Sequence, residues 1–232
     1  MGIFKDFLDA IWPNTPKPKR TEPSILEKVK HSFETGANIG EYGEWVTEYA
    51  LNAMQSEFEY YTLKNVYIPY KGKTVEIDLI MIHEKGIYVF ESKNYGGWIY
   101  GNENSTYWTQ TLKSRAGIRK VKFYNPIMQN KTHIKALEEY VGFPERIKPV
   151  SVIVFGSRCL LKEVPKSKEN LIICYKAHLL KKLEENFAQS KISISSNKLA
   201  EYNRILEKCN EVSIADKKRH IDQVNEYKKS RG

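Results

Sequence analysis

Residues 74–93 read TVEIDLIMIHEKGIYVFESK, two runs rich in β-branched and aromatic residues that are separated by a short polar turn at 84–86. Such runs are typical of β-strands, and a turn of this length between them predicts an antiparallel hairpin. A further strand is predicted at 66–69, so three consecutive strands form the centre of the chain.

Two acidic side chains, Asp78 and Glu91, lie next to the strongly apolar runs of this hairpin, at 79–82 and 87–90. If the turn pairs His83 with Gly86, the register places Asp78 opposite Glu91, with their Cβ atoms about 5 Å apart on one face. Two such carboxylates repel each other, and a divalent cation between them would remove the repulsion. Lys93 projects from the same side as Glu91, which completes the groups needed to hydrolyse a phosphodiester. The alternative is a pair of edge-strand acids with Lys93 as their ion-pair partner.

Helices and further strands are predicted around the hairpin. A helical pattern covers 38–56, and Asn125-Pro126 begins a second helix that ends at Gly142. Short apolar runs at 150–156 and 171–174 are typical of buried strands. Two more helices are predicted, at 177–188 and 198–210. Residues 94–124 are predicted to be mostly loop, with some short strand around Trp98 and Trp108.

The composition is that of an ordinary folded protein of 232 residues, with 41% hydrophobic and 28% charged side chains. The net charge of +9 favours a polyanionic partner, either nucleic acid or an anionic membrane surface. The three cysteines have no C-x-x-C spacing, which argues against a zinc site and a disulfide framework. No signal peptide or membrane span is evident, so a cytoplasmic location is expected.

The chain divides into four predicted segments. Residues 1–12 form an amphipathic helix, 13–35 a basic proline-rich linker, 36–190 the main domain, and 191–232 a helical basic tail. The N-terminal helix could tether the protein to a membrane surface or a protein partner.

The order of several motifs resembles the nuclease-related domain (NERD) family, a branch of the PD-(D/E)xK nuclease superfamily. The resemblance runs from about Gly40 to Leu137. The motifs are Gly40-x-x-Gly43-Glu44, Ile77-Asp78, Gly86-Ile87-Tyr88-Val89-Phe90-Glu91-Ser92-Lys93-Asn94, Trp98, Gly101, Tyr107-Trp108-Thr109-Gln110, and Asn125-Pro126-x-x-Gln129-x-x-x-His133.

This resemblance implies an α/β fold with a PD-(D/E)xK nuclease-like core, in which helices flank a mixed central β-sheet in the order α-β-β-β-α-β. It further implies catalytic positions, which are Glu44, Asp78, Glu91, Lys93 and Gln129. Asp78, Glu91 and Glu44 would bind Mg²⁺ or Mn²⁺. A shift of the alignment by one Gly-Glu pair would give Glu41 the role of Glu44, and that choice stays open.

A basic segment follows the strands and is predicted to contact nucleic acid phosphates. Its members are Lys113, Arg115, Arg119, Lys120 and Lys122. His133, one helical turn after Gln129, is a further candidate contact to the substrate backbone. The predicted function is therefore metal-dependent cleavage of nucleic acid, with DNA as the expected substrate. The alternatives are a DNA-binding module without catalysis, and a protein of the same family that is tethered to a membrane or partner.

Overall fold

The computed structural model describes residues 47–48, 50–52 and 54–209. The predicted N-terminal helix and linker, Glu41, Glu44 and the chain beyond residue 209 lie outside the described residues. None of the helices within the described part is long and apolar enough to cross a membrane.

A mixed five-stranded sheet forms the centre of the molecule. Its strands are β1 (Tyr60–Tyr70), β2 (Lys73–His83), β3 (Gly86–Lys93), β7 (Val150–Phe155) and β9 (Leu171–Tyr175). The spatial order is β1-β2-β3-β7-β9, with antiparallel pairing among the first three strands and parallel pairing from β3 onward. All six residues of β7 are buried, as expected of a parallel strand that is covered on both faces.

The central hairpin has the predicted register, because His83 pairs with Gly86 across the turn. Gly86 has a φ of 146°, a conformation that L side chains rarely adopt, which explains a glycine at this turn. The ladder between β2 and β3 runs as far as Leu79 and Phe90. The predicted direct pair of Asp78 with Glu91 would be the next step, but it lies beyond the end of the ladder.

Most of residues 94–124 form strands, so the prediction that they are mostly loop was wrong, while the short strands predicted around Trp98 and Trp108 are confirmed. They contain β4 (Gly97–Tyr100), β5 (Tyr107–Ser114) and β6 (Gly117–Tyr124). These strands join β8 (Cys159–Glu163) in a second sheet of order β6-β5-β4-β8. The polar and basic residues that suggested a loop are tolerated on these strands because much of β5 and β6 is exposed, and the first four residues of β6 are exposed on both faces.

Between residues 54 and 209, three α-helices cover the two faces of the central sheet. They are α1 (Pro126–Val141), α2 (Leu179–Gln189) and α3 (Ser196–Glu207), and a single 3₁₀ turn (Lys176–His178) precedes α2. Helix α1 begins as predicted, because the Asn125 side chain accepts a hydrogen bond from the Ile127 amide at 2.9 Å. Helix α1 also ends as predicted, at the left-handed Gly142.

The core has a separate apolar cluster on each face of the central sheet. Helices α1 and α3 pack on one face, through Leu137 and Leu206, and α2 packs on the other through Leu183. Residues 194–209, which fall in the segment expected to form a tail, therefore contribute to the core. The described chain confirms the expected α/β class, with helical residues at 47–48 and 50–52, then β1–β3, α1 and β7 in the nuclease-like order.

Candidate active site

The predicted site residues on the described chain gather where β3 ends and α1 begins. Glu91 and Lys93 alternate with Ser92 along β3, so they project from the face that carries Ile87 and Val89. Those two apolar residues pack in the same cluster as α1, which explains why α1 lies over Glu91 and Lys93. The end of β3 thus forms a small polar area at the edge of an apolar face.

Glu91, Lys93 and Gln129 are connected by hydrogen bonds. The Lys93 ammonium donates to Glu91 Oε1 at 2.5 Å and to Gln129 Oε1 at 3.1 Å. Glu91 is almost completely buried, with only 2% of its surface exposed. A buried carboxylate is costly unless it is paired, so this ion pair is what stabilises Glu91 at this position.

His133 lies on the other side of the Glu91 carboxylate. Its Nδ1 is 3.6 Å from Glu91 Oε2, and the imidazole is buried. The structure therefore places His133 against Glu91 and not on the basic surface with which it was grouped as a nucleic-acid contact. In this position the ring can orient Glu91, while contact with a substrate phosphate would require it to become exposed.

Asp78 lies beside this cluster at a point where the sheet is interrupted. In the ladder between β1 and β2, the pairs on either side are Lys64 with Leu79 and Val66 with Ile77, so Asn65 and Asp78 are not a ladder pair. Asn65 has a left-handed φ of 52°. The Asp78 carboxylate accepts a hydrogen bond from the Ser92 amide at 3.4 Å. The hydroxyl groups of Ser92 and Thr47 lie 3.3 Å apart, which connects helical residue Thr47 to β3.

Electrostatics at Asp78 favour a cation. Burial, and next the negative charge of Glu91, raise the pKa of Asp78 to about 8, although Lys93 and the Ser92 amide act in the opposite direction. Burial opposes the charged form of Lys93, but attraction to Glu91 and the hydrogen bond between them prevail, so the pKa of Lys93 is raised. Lys93 is consequently charged at neutral pH, while Asp78 shares its surroundings with a second carboxylate that disfavours its ionisation.

The donor atoms of the site fit a hard divalent cation. Asp78 and Glu91 offer carboxylate oxygens, which Mg²⁺ and Mn²⁺ prefer, and a cation would offset the repulsion between them. No group of three or more His, Cys, Asp or Glu side chains that could hold a metal ion occurs among the described residues. Glu44, the third carboxylate implied by the family resemblance, lies outside them.

Sequence reasoning missed Asn130, which fixes α1 in place. Its buried side-chain amide donates to the Val89 carbonyl at 2.7 Å and to the Ser151 hydroxyl at 2.9 Å. These bonds join α1 to β3 and β7, so Gln129 and His133 on the neighbouring turn face the end of β3. The sequence did contain a signal for a buried polar residue here. Asn130 is three residues after Ile127 and four before Ile134, which places its polar side chain on the apolar stripe of the helix.

Close backbone packing also shapes the end of β3. The Gly156 amide donates to the Lys93 carbonyl at 3.0 Å, and a Cβ atom on Gly156 would lie 2.6 Å from Asn94 Oδ1. A side chain at position 156 would therefore require the Asn94 amide to move. The Arg158 guanidinium donates to the Asn94 carbonyl at 3.0 Å, which further holds the turn after β3.

The predicted basic residues form a separate surface on the second sheet. They lie on the hairpin of β5 and β6 or in its turn, and all are exposed or half-exposed; they are Lys113, Arg115, Arg119, Lys120 and Lys122. We call this set the basic hairpin. It is distinct from the cluster of Glu91, Lys93 and Gln129, which the structure does bring together.

Comparison with known proteins identifies a family and a similar protein. The model of the nuclease-related domain family, NERD, matches residues 39–156, just over half of the chain. An uncharacterized protein of Bacillus anthracis is 39% identical over 139 residues. The alignment covers 59% of this chain and 62% of that protein, so the chain spans less than two thirds of its length. No solved structure matches the chain. The matched region contains Asp78, Glu91, Lys93 and Gln129, and the chain belongs to the nuclease-related domain family.

Proposed function

We propose that this protein is a metal-dependent nuclease that hydrolyses phosphodiester bonds in nucleic acid, with DNA as its substrate. The observation that carries the proposal is the cluster at the end of β3, where a buried Glu91 is bound by Lys93 and Lys93 is bound by Gln129. The raised pKa of Asp78 next to Glu91 supports a cation between these carboxylates.

Each residue has a role that its position supports. Asp78 and Glu91, with Glu44 as the third carboxylate, would hold Mg²⁺ or Mn²⁺. When bound, such an ion supplies a polarised water and stabilises charge on the phosphate. The Lys93 ammonium offsets negative charge that develops on the phosphate, and Gln129 orients that ammonium through its 3.1 Å hydrogen bond. His133 orients Glu91 from the opposite side.

The basic hairpin supports nucleic acid as the substrate class. Its five cations lie at the surface and are therefore able to contact phosphates, whereas Lys93 is engaged in the site. Phosphate contacts of this kind give affinity without sequence information. We therefore expect the exposed cations of the basic hairpin to bind the polyanion, and Lys93 to act on it at the site.

The proposal is tested by incubating the purified protein with labelled linear, circular and single-stranded DNA and with RNA, in Mg²⁺, Mn²⁺ or a chelator. Cleavage is expected only with metal, and it should be lost in Asp78→Asn, while Glu139→Gln, an exposed acid on α1, serves as the control. The metal should also raise the Tm of the wild type. At a metal concentration of a hundred times the Kd, the free energy of unfolding should increase by about 2.7 kcal/mol.

Two outcomes would contradict the proposal. The first is full metal-dependent cleavage by Asp78→Asn, because the activity would then come from elsewhere. The second is the absence of cleavage of every substrate by the wild type, together with tight nucleic acid binding, which would favour a binding module without catalysis.

A further inference from the structure

The second sheet has an inner and an outer face, and the cross-strand pairs separate them. Trp108 pairs with Phe123, and the Trp108 ring stacks on Phe155 of the central sheet, so these residues mark the inner face. The neighbouring pair of Tyr107 and Tyr124 points the other way, with ring centroids 6.3 Å apart. We call the side that carries Tyr107 and Tyr124 the outer face.

The outer face holds most of the exposed large hydrophobic side chains of the described residues. Within those residues six such side chains are exposed, and only Tyr140 lies elsewhere. The other five have 38% to 64% of their surface exposed and are Trp98, Tyr107, Ile118, Tyr124 and Leu160. Exposed apolar groups gathered on one face mark an interaction site, whereas scattered ones need no explanation.

The charge of this face is positive. Alternation along the strands places Lys113, Lys120 and Lys122 on the same side as Tyr124, and Lys162 on β8 lies with its ammonium 5.5 Å from the centroid of the Trp98 ring. No residue of β4, β5 or β6 is acidic. Glu163, the acidic residue of β8, is exposed and pairs with Tyr100 after the register shift at the end of that strand. The four lysines therefore outnumber the acidic residue of these strands.

We propose that the outer face binds single-stranded nucleic acid, with bases stacked on Trp98 and Tyr124 and phosphates held by the lysines between them. Every base has a π-face, and a sheet that alternates aromatic and cationic side chains satisfies base and backbone together. In a duplex the base faces are covered by their neighbours, so exposed aromatic rings fit unpaired strands. A protein partner that covered four lysines would need matching acids, whereas a nucleic acid strand carries a negative charge at each nucleotide.

That the bound single strand is the substrate rests on the proposed nuclease function. The outer face and the end of β3 are close along the chain. Trp98 is five residues after Lys93, so the backbone between them spans at most about 18 Å. A strand with a rise of about 3.4 Å per nucleotide covers that distance in about five nucleotides. An unpaired strand of that length on the outer face would therefore be long enough to reach the end of β3.

Binding is measured with the full-length protein in a chelator, by fluorescence anisotropy of a labelled DNA strand of about 20 nucleotides and of its duplex. Trp98→Ala should weaken binding of the single strand at least about fivefold, because the platform for one stacked base is removed. It should change duplex binding by less than about twofold. Trp98→Phe retains an aromatic ring and should retain affinity, and Tyr140→Ala, an equally exposed aromatic residue on α1, is the matched control.

A second measurement uses the wild type alone and does not depend on whether a variant folds. Photo-crosslinking to a bromodeoxyuridine-substituted single strand, followed by peptide mass spectrometry, should identify peptides that contain Trp98 or Tyr124. Crosslinks confined to other peptides would overturn the inference, as would unchanged single-strand affinity in a folded Trp98→Ala. Loss of anionic vesicle binding or of self-association in that variant, with single-strand affinity intact, would also overturn it and would assign the face to that partner.

The chelator separates this inference from the proposed nuclease function. If the outer face binds single strands but the protein cleaves nothing in Mg²⁺ or Mn²⁺, the inference stands and the nuclease proposal fails. If the protein cleaves DNA while Trp98→Ala binds single strands as tightly as the wild type, the nuclease proposal stands and the inference fails.

Discussion

The two sheets of this protein differ in how they accommodate lysine side chains. On β3 of the central sheet, Lys93 is mostly buried and bound to Glu91 and Gln129. On β6 of the second sheet, Lys120 and Lys122 are exposed. The central sheet is covered on both faces by helices, so a charge there needs a specific partner. On the exposed face of the second sheet, water solvates the charges instead.

This contrast predicts where function is sensitive to substitution. A charge that is held by buried partners has a shifted pKa and a defined position, which are the properties that chemistry needs. A solvated charge contributes to the overall field and to affinity, but little to stability. Changes at the end of β3 should therefore affect turnover and stability, while changes on the second sheet should affect binding alone.

The largest expected effect is on turnover in Lys93→Met. Removing the ammonium removes the group that offsets charge on the phosphate, so metal-dependent cleavage should fall by between about 100-fold and 1,000-fold. Affinity for DNA should change less than about twofold, because the exposed cations remain. Lys182→Met, which removes a lysine from a surface ion pair with Glu185, is the control and should retain activity. A similar drop in both variants would show that the contrast between buried and solvated lysines is wrong.

The next effect concerns His83, a fully buried histidine of the central sheet that stacks on Phe187 at 4.0 Å. Burial, and to a smaller extent the positive charge of Lys85, lower the pKa of His83 to about 4. In the unfolded chain a histidine titrates near 6.5, so between about pH 4 and 6.5 the unfolded state binds more protons. Stability should therefore fall as the pH drops through this window, by about 3 kcal/mol from this group.

Urea unfolding at pH values from 4 to 7 measures this dependence. His83→Phe should lose the part of the pH dependence that comes from His83, while the exposed His178→Gln should keep the wild-type profile. Identical profiles for wild type and His83→Phe would mean that burial in the central sheet does not govern the protonation of this group.

A smaller effect is expected on the metal-free stability of Asp78→Asn. Burial, and then the charge of Glu91, raise the pKa of Asp78 to about 8, so the folded state binds more protons than the unfolded state between about pH 4 and 8. Wild-type stability from this group should therefore fall as the pH rises through that window. The variant does not titrate there and should be more stable at pH 8, by on the order of 2 kcal/mol.

Thermal unfolding in a chelator at pH 5 and pH 8 tests this, with Glu139→Gln as the reference. The advantage of Asp78→Asn should shrink at the lower pH. A variant that is less stable than the wild type at pH 8 would show that Asp78 is stabilised by its surroundings, contrary to the argument for a shared cation.

The smallest effect on stability is expected on the second sheet. Replacing Lys113, Arg115, Arg119 and Lys120 together with glutamine should change the free energy of unfolding by less than about 0.5 kcal/mol for each exposed site. The slope of log K against log salt for duplex DNA should become shallower by about 0.9 for each phosphate that the variant no longer neutralises. An unchanged slope in a folded variant would remove the basic hairpin from the interface.

Much of the central sheet could be predicted because its signals are local. The turn at 84–86 determines the register of the hairpin, and Asn125 with Pro126 determines where α1 begins, in both cases through bonds between residues close in sequence. The second sheet could not be predicted in the same way. Its strand β4 is only four residues long and pairs with β8, about 60 residues later, and no local pattern encodes that partner.

The sequence by itself determined the alternation of β3, and with it the placement of Glu91 and Lys93 on one side of a buried strand, because side-chain direction in a strand has a period of two residues. Only the tertiary structure decided that His133 faces Glu91, that Asn130 fixes α1 to Val89 and Ser151, and that Trp98 and Tyr124 share an exposed face. Those placements depend on how helices and strands distant in sequence pack together, and packing is set by the shape and burial of the whole core.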